Sequence, residues 1–469
     1  MSDAGPTPSA DIASAVSRRS VLKGMSGAAA LAVVPSALLA ACSSKKAAPA
    51  ASSPAGTSAA SAPATTSASG AASAPAGGTA TGTVTFGSNY SDAVPKAAFQ
   101  AMIDAFKAKN SGVAVKVNTV DHNTFQTNIN TYLQGTPDDL FTWFAGYRMQ
   151  FFAQQGLAAP IDDVWDKIGA NFSDAFKGAS KGLDGHYYFV PLYNYPWALF
   201  YRKSVFAAKG YQIPTTWDAF LALCAQMKKD GLVPIAFGDK DGWPAMGTFD
   251  ILNMRVNGYQ FHMDLMAHKV PWTDPKVKDV FTHFAQMLPY HQTGALGRIW
   301  QDAAKTLLAK QAGMYMLGSF VAQQFTGADL ADLDFFAFPA INPANAQDSL
   351  DAPIDGFMMS KKAKNQDAAK ALLEYIGTAE AEAVYGKSDP SDVAAATNAD
   401  ASNYNAIQKK SQELIGSAKH IAQFMDRDTR PDFASNVMIP SIQSFITNPG
   451  SIDSMLKSVE SQAKTIFAS

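Results

Sequence analysis

From Gly82 to Ser469 the sequence switches repeatedly between a two-residue and a 3.6-residue hydrophobic period, which confines the chain to layered α/β architectures. Val84 and Phe86 alternate as in a strand; Phe99, Met102, Ile103 and Phe106 then fall at helical spacing, after Ser91-Asp92 and Pro95, which cap and start a helix. Val113, Val115 and Val117 predict a second strand, Phe125, Ile129, Tyr132 and Leu133 a second helix, and Leu140 to Phe144 a third strand behind Pro137-Asp138-Asp139. Two successive strand–helix–strand units predict a mostly parallel sheet. A second set of elements follows Tyr193: Trp197 to Tyr201, a helix through Trp217, Phe220 and Leu221 that Thr215 or Thr216 can cap, and strands at Pro234 to Phe237, Gly313 to Leu317 and Leu333 to Phe338. Ile354 to Met359 gives a further strand, followed by a helix through Ala369, Leu372, Leu373 and Ile376. So long a folded part exceeds what one hydrophobic core usually serves, so two lobes are expected.

The N-terminus carries three signals in the order in which export requires them. Ser17-Arg18-Arg19-Ser20-Val21-Leu22-Lys23 is close to the twin-arginine export pattern, an apolar run extends from Ala28 to Ala41, and Leu39-Ala40-Ala41-Cys42 resembles the lipobox of bacterial lipoproteins. The run is shorter than the roughly 20 apolar residues of a membrane span. Residues 1–42 thus read as a lipoprotein signal peptide with Cys42 as the acylated residue. Residues 43–81 are almost entirely Ala, Ser, Pro, Thr and Gly, a composition that buries too little apolar surface to offset the entropy of ordering, and they read as a tether.

The net charge of −2 provides no general attraction to nucleic acid or to an anionic bilayer, so the membrane is reached through the lipid alone. Besides Cys42 the sequence holds only Cys224, which lies at helical spacing with Trp217, Phe220 and Leu221 and reads as a small core residue. The seven His residues show no HExxH pattern and no zinc-like pairing with Cys or carboxylate; there is no Gly-x-Ser-x-Gly elbow and no phosphate-cradling loop. Neither metal nor cofactor is expected. Asp138-Asp139 and Asp426-Arg427-Asp428 hold carboxylates, but neighbours in sequence do not establish the opposed pair of a glycosidase.

The order of the segments resembles the extracellular solute-binding proteins of the maltose-binding-protein-like sugar-binding family. The resemblance rests on Pro137-Asp138-Asp139 before Trp143-Phe144, Gln155-Gly156-Leu157, Pro191 to Tyr201 leading to Thr216-Trp217, Gly313-Met314 to Gly318-Ser319-Phe320, and Gly356-Phe357-Met358-Met359 before Lys364-Asn365. It implies an α/β, two-lobe, periplasmic-binding-protein-like fold of type II with a ligand cleft at the hinge. Lobe 1 would comprise 82–193 and 353–400, and lobe 2 194–352 and 401–469, with crossings near Tyr193-Asn194 and Pro353-Ile354. The stretch Trp243 to Trp300 and the segment Asp426 to Pro431 depart from the simplest members. By resemblance the protein is a monomeric, non-enzymatic receptor on the extracytoplasmic face of the cell membrane, delivering a carbohydrate to the permease of an ABC importer. A surface carbohydrate-active enzyme and a sensory lipoprotein without transport remain as alternatives.

A sugar site needs aromatic faces for the ring and planar polar groups for its hydroxyls. Trp143 and Phe144, with Tyr147 beyond them, lie at the end of a lobe-1 strand, where open α/β sheets place ligands, although core packing competes for some of them. Trp243 is the expected lobe-2 platform or else a loop anchor, and Phe320 either stacks or seals a helix start. Asn89, Tyr90 and Asp92 follow the first strand, Tyr193 and Asn194 sit at one crossing and Asp355 at the other. Arg427 and Arg430 either hold hydroxyls or close an internal salt-bridged loop.

Export and anchoring are separable. Replacing Arg18 and Arg19 by Lys should block export, whereas Cys42→Ala should give an exported protein that a labelled fatty acid no longer marks; label retained on Cys42→Ala would refute the anchor.

Overall fold

The computed structural model describes residues 80–345 and 348–468; the leader, Cys42 and the tether up to residue 79 lie outside the described residues. The strands, in chain order, are β1 (Gly82–Ser88), β2 (Val113–Thr119), β3 (Leu140–Phe144), β4 (Phe189–Asn194), β5 (Trp197–Arg202), β6 (Val233–Ala236), β7 (Ala312–Gly318), β8 (Leu333–Phe336), β9 (Ser349–Asp351), β10 (Ile354–Met359), β11 (Val393–Ala394) and β12 (His420–Ala422). They form a first sheet in the order β11-β4-β10-β3-β1-β2, a second in the order β6-β7-β5-β8, and the pair β12-β9. The first sheet is mixed rather than mostly parallel. β1 runs parallel to β2 and β3, but β10 enters antiparallel between β3 and β4, and β11 pairs antiparallel with β4. The right-handed crossover rule governs the strand–helix–strand units of β1 to β3. β10 arrives instead from the second part of the chain, so that rule does not set its direction.

The two expected crossing segments lie side by side. Asn194 of β4 is opposite Ile354 of β10, and Tyr193 is opposite Asp355, with a register shift between Asp355 and Gly356. In the second sheet β5 is antiparallel to both β7 and β8, and β6 is parallel to β7. Every residue of β4, β5, β7 and β10 is buried, as expected of strands covered on both faces.

The insertion-like stretch from Trp243 folds into the helices Trp243–Asn257, Tyr259–Met266 and Pro275–Met287, against which the C-terminal helices Ile439–Thr447 and Ile452–Phe467 pack. Helix 243–257 is buried from Pro244 to Val256, so its polar residues need internal partners. Asp250 accepts from the Met425 amide at 2.6 Å, while Arg255 donates to the carbonyls of Phe338 (3.1 Å) and Ser349 (2.8 Å). Helix and C-terminal segment are thereby tied together. Cys224 is fully buried, and burial pushes its thiol up to about 12, which makes it inert at neutral pH.

Trp243 owes its position to two features of the preceding loop. Gly242 has φ +80, and a Cβ there would lie 2.2 Å from Ile439 Cγ2, so only glycine fits. Asp239, fully buried, accepts from the Ala245 amide at 2.8 Å and satisfies an otherwise orphaned donor of the helix start. Burial raises its carboxyl pKa to about 7, against the pull of that hydrogen bond. A folded-state pKa above the unfolded value of about 3.9 means that the folded protein binds the extra proton. Stability must therefore fall as pH rises from about 4 to about 7 and stay level beyond. At about 1.4 kcal/mol per unit the loss is on the order of 4 kcal/mol. Asp239→Asn keeps an acceptor for Ala245 without the charge. Denaturant unfolding across this window should show the variant gaining on the wild-type protein as pH rises; parallel curves would contradict the assignment.

Candidate functional site

Between the two sheets lies a cavity of about 150 Å³. Of the residues expected from the sequence, Asn89, Tyr90, Asp92, Phe144, Tyr193, Trp243, Phe320, Asp355 and Arg427 line it. Trp143 and Asn194 do not. Successive side chains leave a strand on opposite faces, so with Phe144 at the cavity its neighbour on β3 points away. Trp143 is 1% exposed, its indole N–H donates to the Arg148 carbonyl at 3.0 Å, and its ring lies 4.8 Å from the Arg148 guanidinium. It is a support for Arg148. Asn194 is buried where β4 meets both β10 and β11, while its neighbour Tyr193 reaches the cavity. Tyr147 is exposed and off the cavity.

The charged part of the site is built around one aromatic ring. Phe144 lies 4.6 Å from the guanidinium of Arg148 and 4.4 Å from that of Arg427. Each cation has its own anion: Arg148 Nη1 meets Asp426 Oδ2 at 2.7 Å, and Arg427 Nη1 meets Asp355 Oδ1 at 2.7 Å. Arg148 also donates to Gln126 Oε1 (2.8 Å), and Arg427 to the Ile354 carbonyl (3.1 Å) and the Tyr195 hydroxyl (3.0 Å). Burial opposes the charge on Arg427, but Asp355, Tyr195 and Asp426 outweigh it and hold its pKa above the usual value. Burial likewise raises Asp355 against the pull of Arg427. The short helix Met425–Asp428 that delivers Asp426 and Arg427 is fastened from behind: Asp428 accepts from the Gln423 amide at 2.8 Å, and the Thr429 hydroxyl donates to the Met266 carbonyl at 2.6 Å. Its approach to β3 requires Gly146, where φ is +72 and a Cβ would stand 2.7 Å from the Arg427 carbonyl oxygen. Arg430 pairs with Asp432 at 2.8 Å and is absent from the cavity wall, so only the first of the two arginines reaches it.

The opposite wall is aromatic. Trp197 opens β5, Trp243 opens its helix, Trp300 opens the helix Trp300–Leu308, and Phe320 follows β7. Phe320 makes edge contacts with Trp243 (5.8 Å between centroids), Trp300 (5.1 Å) and Tyr195 (5.3 Å), and Trp197 packs on Phe424 at 5.1 Å. Several polar atoms in the walls make no hydrogen bond among the described residues: Asn89 Oδ1, Arg148 Nε and the indole nitrogens of Trp197 and Trp243, while Arg427 Nε and Asp426 Oδ1 meet each other at 3.8 Å. Buried polar atoms without a partner are costly unless something else meets them. Asp92 was expected to cap the helix Ala93–Lys109, yet makes no cap; its carboxylate accepts instead from Gln301 Nε2 at 3.2 Å across the cavity.

Trp197, Trp300, Tyr195, Arg148, Asp426, His122, Gln301, Gln323 and Asp392 line the cavity without having been foreseen. Trp197 and Trp300 stand at the first positions of their elements, a signal available in the sequence. Nothing local marks Arg148, whose role depends on a residue far along the chain. The carboxylates Asp138 and Asp139 serve the frame: Asp138 accepts from the Tyr132 hydroxyl at 2.8 Å, and Asp139 from the amides of Thr85 (2.8 Å) and Lys364 (2.6 Å).

The family of bacterial extracellular solute-binding proteins matches residues 90–383. Among solved structures, the bacterial solute receptor AcbH, characterised by an exclusive preference for β-D-galactopyranose, is 60% identical with a TM-score of 0.81, over 82% of this chain and 99% of that one. An ABC transporter extracellular-binding protein of Pyrococcus horikoshii is 27% identical over 69% of this chain and 74% of its own length. A probable sugar-binding periplasmic protein of Rhizobium meliloti is 26% identical over 51% of this chain and 57% of its own length. The fold is that of the two-lobe solute-binding proteins.

Trp143 and Trp243 should separate in unfolding experiments. Trp143→Ala removes a fully packed ring and the support of a buried cation, and should cost about 3–5 kcal/mol in denaturant unfolding. The half-buried Trp243 should cost clearly less when replaced by Ala; equal losses would contradict the placement of Trp143 in the frame.

Proposed function

The chain belongs to the bacterial extracellular solute-binding proteins, and from that premise we propose that this sugar-binding receptor of an ABC importer holds one molecule of β-D-galactopyranose. The observation that carries the reading is the pairing of two unlike walls. A pyranose presents apolar C–H faces and a rim of hydroxyls. The aromatic wall of Trp197, Trp243, Trp300 and Phe320 suits the former, and the polar side chains of Asn89, Arg148, Asp426 and Arg427 suit the latter. Size agrees. At about 10–15 Å³ per water-sized group, the cavity of about 150 Å³ holds on the order of ten such groups. That is the scale of a single sugar ring rather than of an oligosaccharide. The preference of AcbH for β-D-galactopyranose, at 60% identity, supports the choice of sugar.

Asn89, Tyr90, Asp92, Phe144, Tyr193, Trp243, Phe320, Asp355 and Arg427 act in this reading, together with Arg148 and Asp426. Phe144 and Asp355 act through Arg427, which they orient. Residues 82–193 with 353–400 form one lobe and 194–352 with 401–469 the other, and the paired strands at Tyr193–Asp355 serve as the hinge. The protein binds without catalysis. It is exported by the twin-arginine route, held by a lipid on Cys42 at the extracytoplasmic face of the membrane, and passes its sugar to the permease as a monomer.

Calorimetric titration of residues 82–469 with D-galactose should give saturable binding at one site per chain. Trp243→Ala should weaken it by about 2 kcal/mol or more, roughly thirtyfold, while the ligand-free denaturation midpoint moves little. No heat of binding with galactose would overturn the choice of sugar. None with any carbohydrate of a broad panel would overturn the sugar reading itself.

A further inference from the structure

The cations at the cavity wall are fewer than they first seem. Arg148 is committed through Nη1 to Asp426 and Gln126, and Arg427 to Asp355, Tyr195 and the Ile354 carbonyl, with its Nε 3.8 Å from Asp426 Oδ1. The charge of each is already balanced by a carboxylate at 2.7 Å. His122 does not add a third, because burial and the nearby Arg148 lower its pKa to about 4, leaving it neutral at physiological pH.

The anions are not balanced in the same way. Asp92 and Asp121 both line the cavity, and no ion pair joins either of them to a cation among the described residues. Asp92 rests on the neutral Gln301 amide, and Asp121 accepts from the Thr124 amide at 2.9 Å. Asp392, also on the wall, is held toward its neutral form by burial and by Asp389.

We propose that the cavity sorts sugars by charge, admitting an uncharged pyranose and refusing one that bears a carboxylate. This deepens the galactose reading and rests on it. A sugar acid entering the site meets cations already paired with carboxylates, and faces the half-buried Asp92 and the exposed Asp121. An uncompensated charge taken out of water and a like-charge juxtaposition both oppose binding. Asp92 is the specificity-determining residue, since it stands at the cavity wall while its only side-chain partner among the described residues is an amide.

The test compares D-galacturonate with D-galacturonamide, which has the same shape and no charge, and uses D-galactose as reference. Titration of the wild-type protein should find the amide bound and the acid at least about a hundredfold weaker than the amide. Asp92→Asn, which keeps an acceptor for Gln301, should narrow that gap by about tenfold. The proposal is overturned by an acid bound within tenfold of the amide, by a gap that Asp92→Asn leaves unchanged, or by rejection of acid and amide alike, which would make size the criterion. Failure of galactose itself to bind would strike the choice of sugar instead.

Discussion

The Phe144 ring, held between two guanidinium groups that are each paired with a carboxylate, is the contact on which the site depends. It joins β3, β10 and the helix start at Tyr147, all around the first sheet, to a turn that arrives near the C-terminus. Two like charges against one ring would repel if left alone. Asp426 and Asp355 make the arrangement neutral, and both cations lie over the ring, 4.6 and 4.4 Å from its centroid. Buried ion pairs of this kind add little net stability, because desolvation offsets most of the attraction, yet removing one partner is costly. What the cluster contributes is geometry. It fixes Arg148, Arg427 and Asp426 together at the cavity wall.

That geometry needs backing, and the chain supplies it at a distance. Gly146 lets the Arg427 backbone come close, Trp143 supports Arg148 from below, and Asp250 in the buried helix 243–257 holds the Met425 amide. The aromatic wall is assembled differently, from the first residues of elements in or next to the second sheet. A rigid polar cluster on one side and an aromatic surface on the other match the two natures of a sugar ring. Because they stand on different sheets, a small relative movement of the lobes changes how both walls meet a ligand, as in other hinged binding proteins.

Much of this was legible in the sequence. The strands β1, β2, β3 and β10 follow from simple alternation or apolar runs, and the positions of Asn89, Tyr90, Asp355 and Trp243 follow from strand ends. Trp143 misled because β3 is buried along its whole length. A strand without polar residues carries no sign of which face looks at the cavity, and choosing between Trp143 and Phe144 requires knowing what packs on each side. Asn194 failed for a related reason: its alternate, Tyr193, took the cavity side. Asp92 read both as a helix cap and as a site residue; its side chain makes no cap and lines the cavity, where it meets Gln301. Arg148 and Asp426 acquire their role from each other across most of the chain, a relation that no local pattern encodes. The direction of β10 was equally out of reach, since local periodicity is blind to the route by which a strand returns.

A crystal structure of residues 82–469 grown with D-galactose tests the account most directly. It should show a single β-pyranose ring between the aromatic wall and the arginine cluster, with hydroxyls within hydrogen-bond distance of Asp426, Arg148 and Arg427. Both ion pairs, Arg148–Asp426 and Arg427–Asp355, should remain intact beside it. A sugar seated outside this cavity, or ion pairs broken so that an arginine grips the ring with its full charge, would contradict the account.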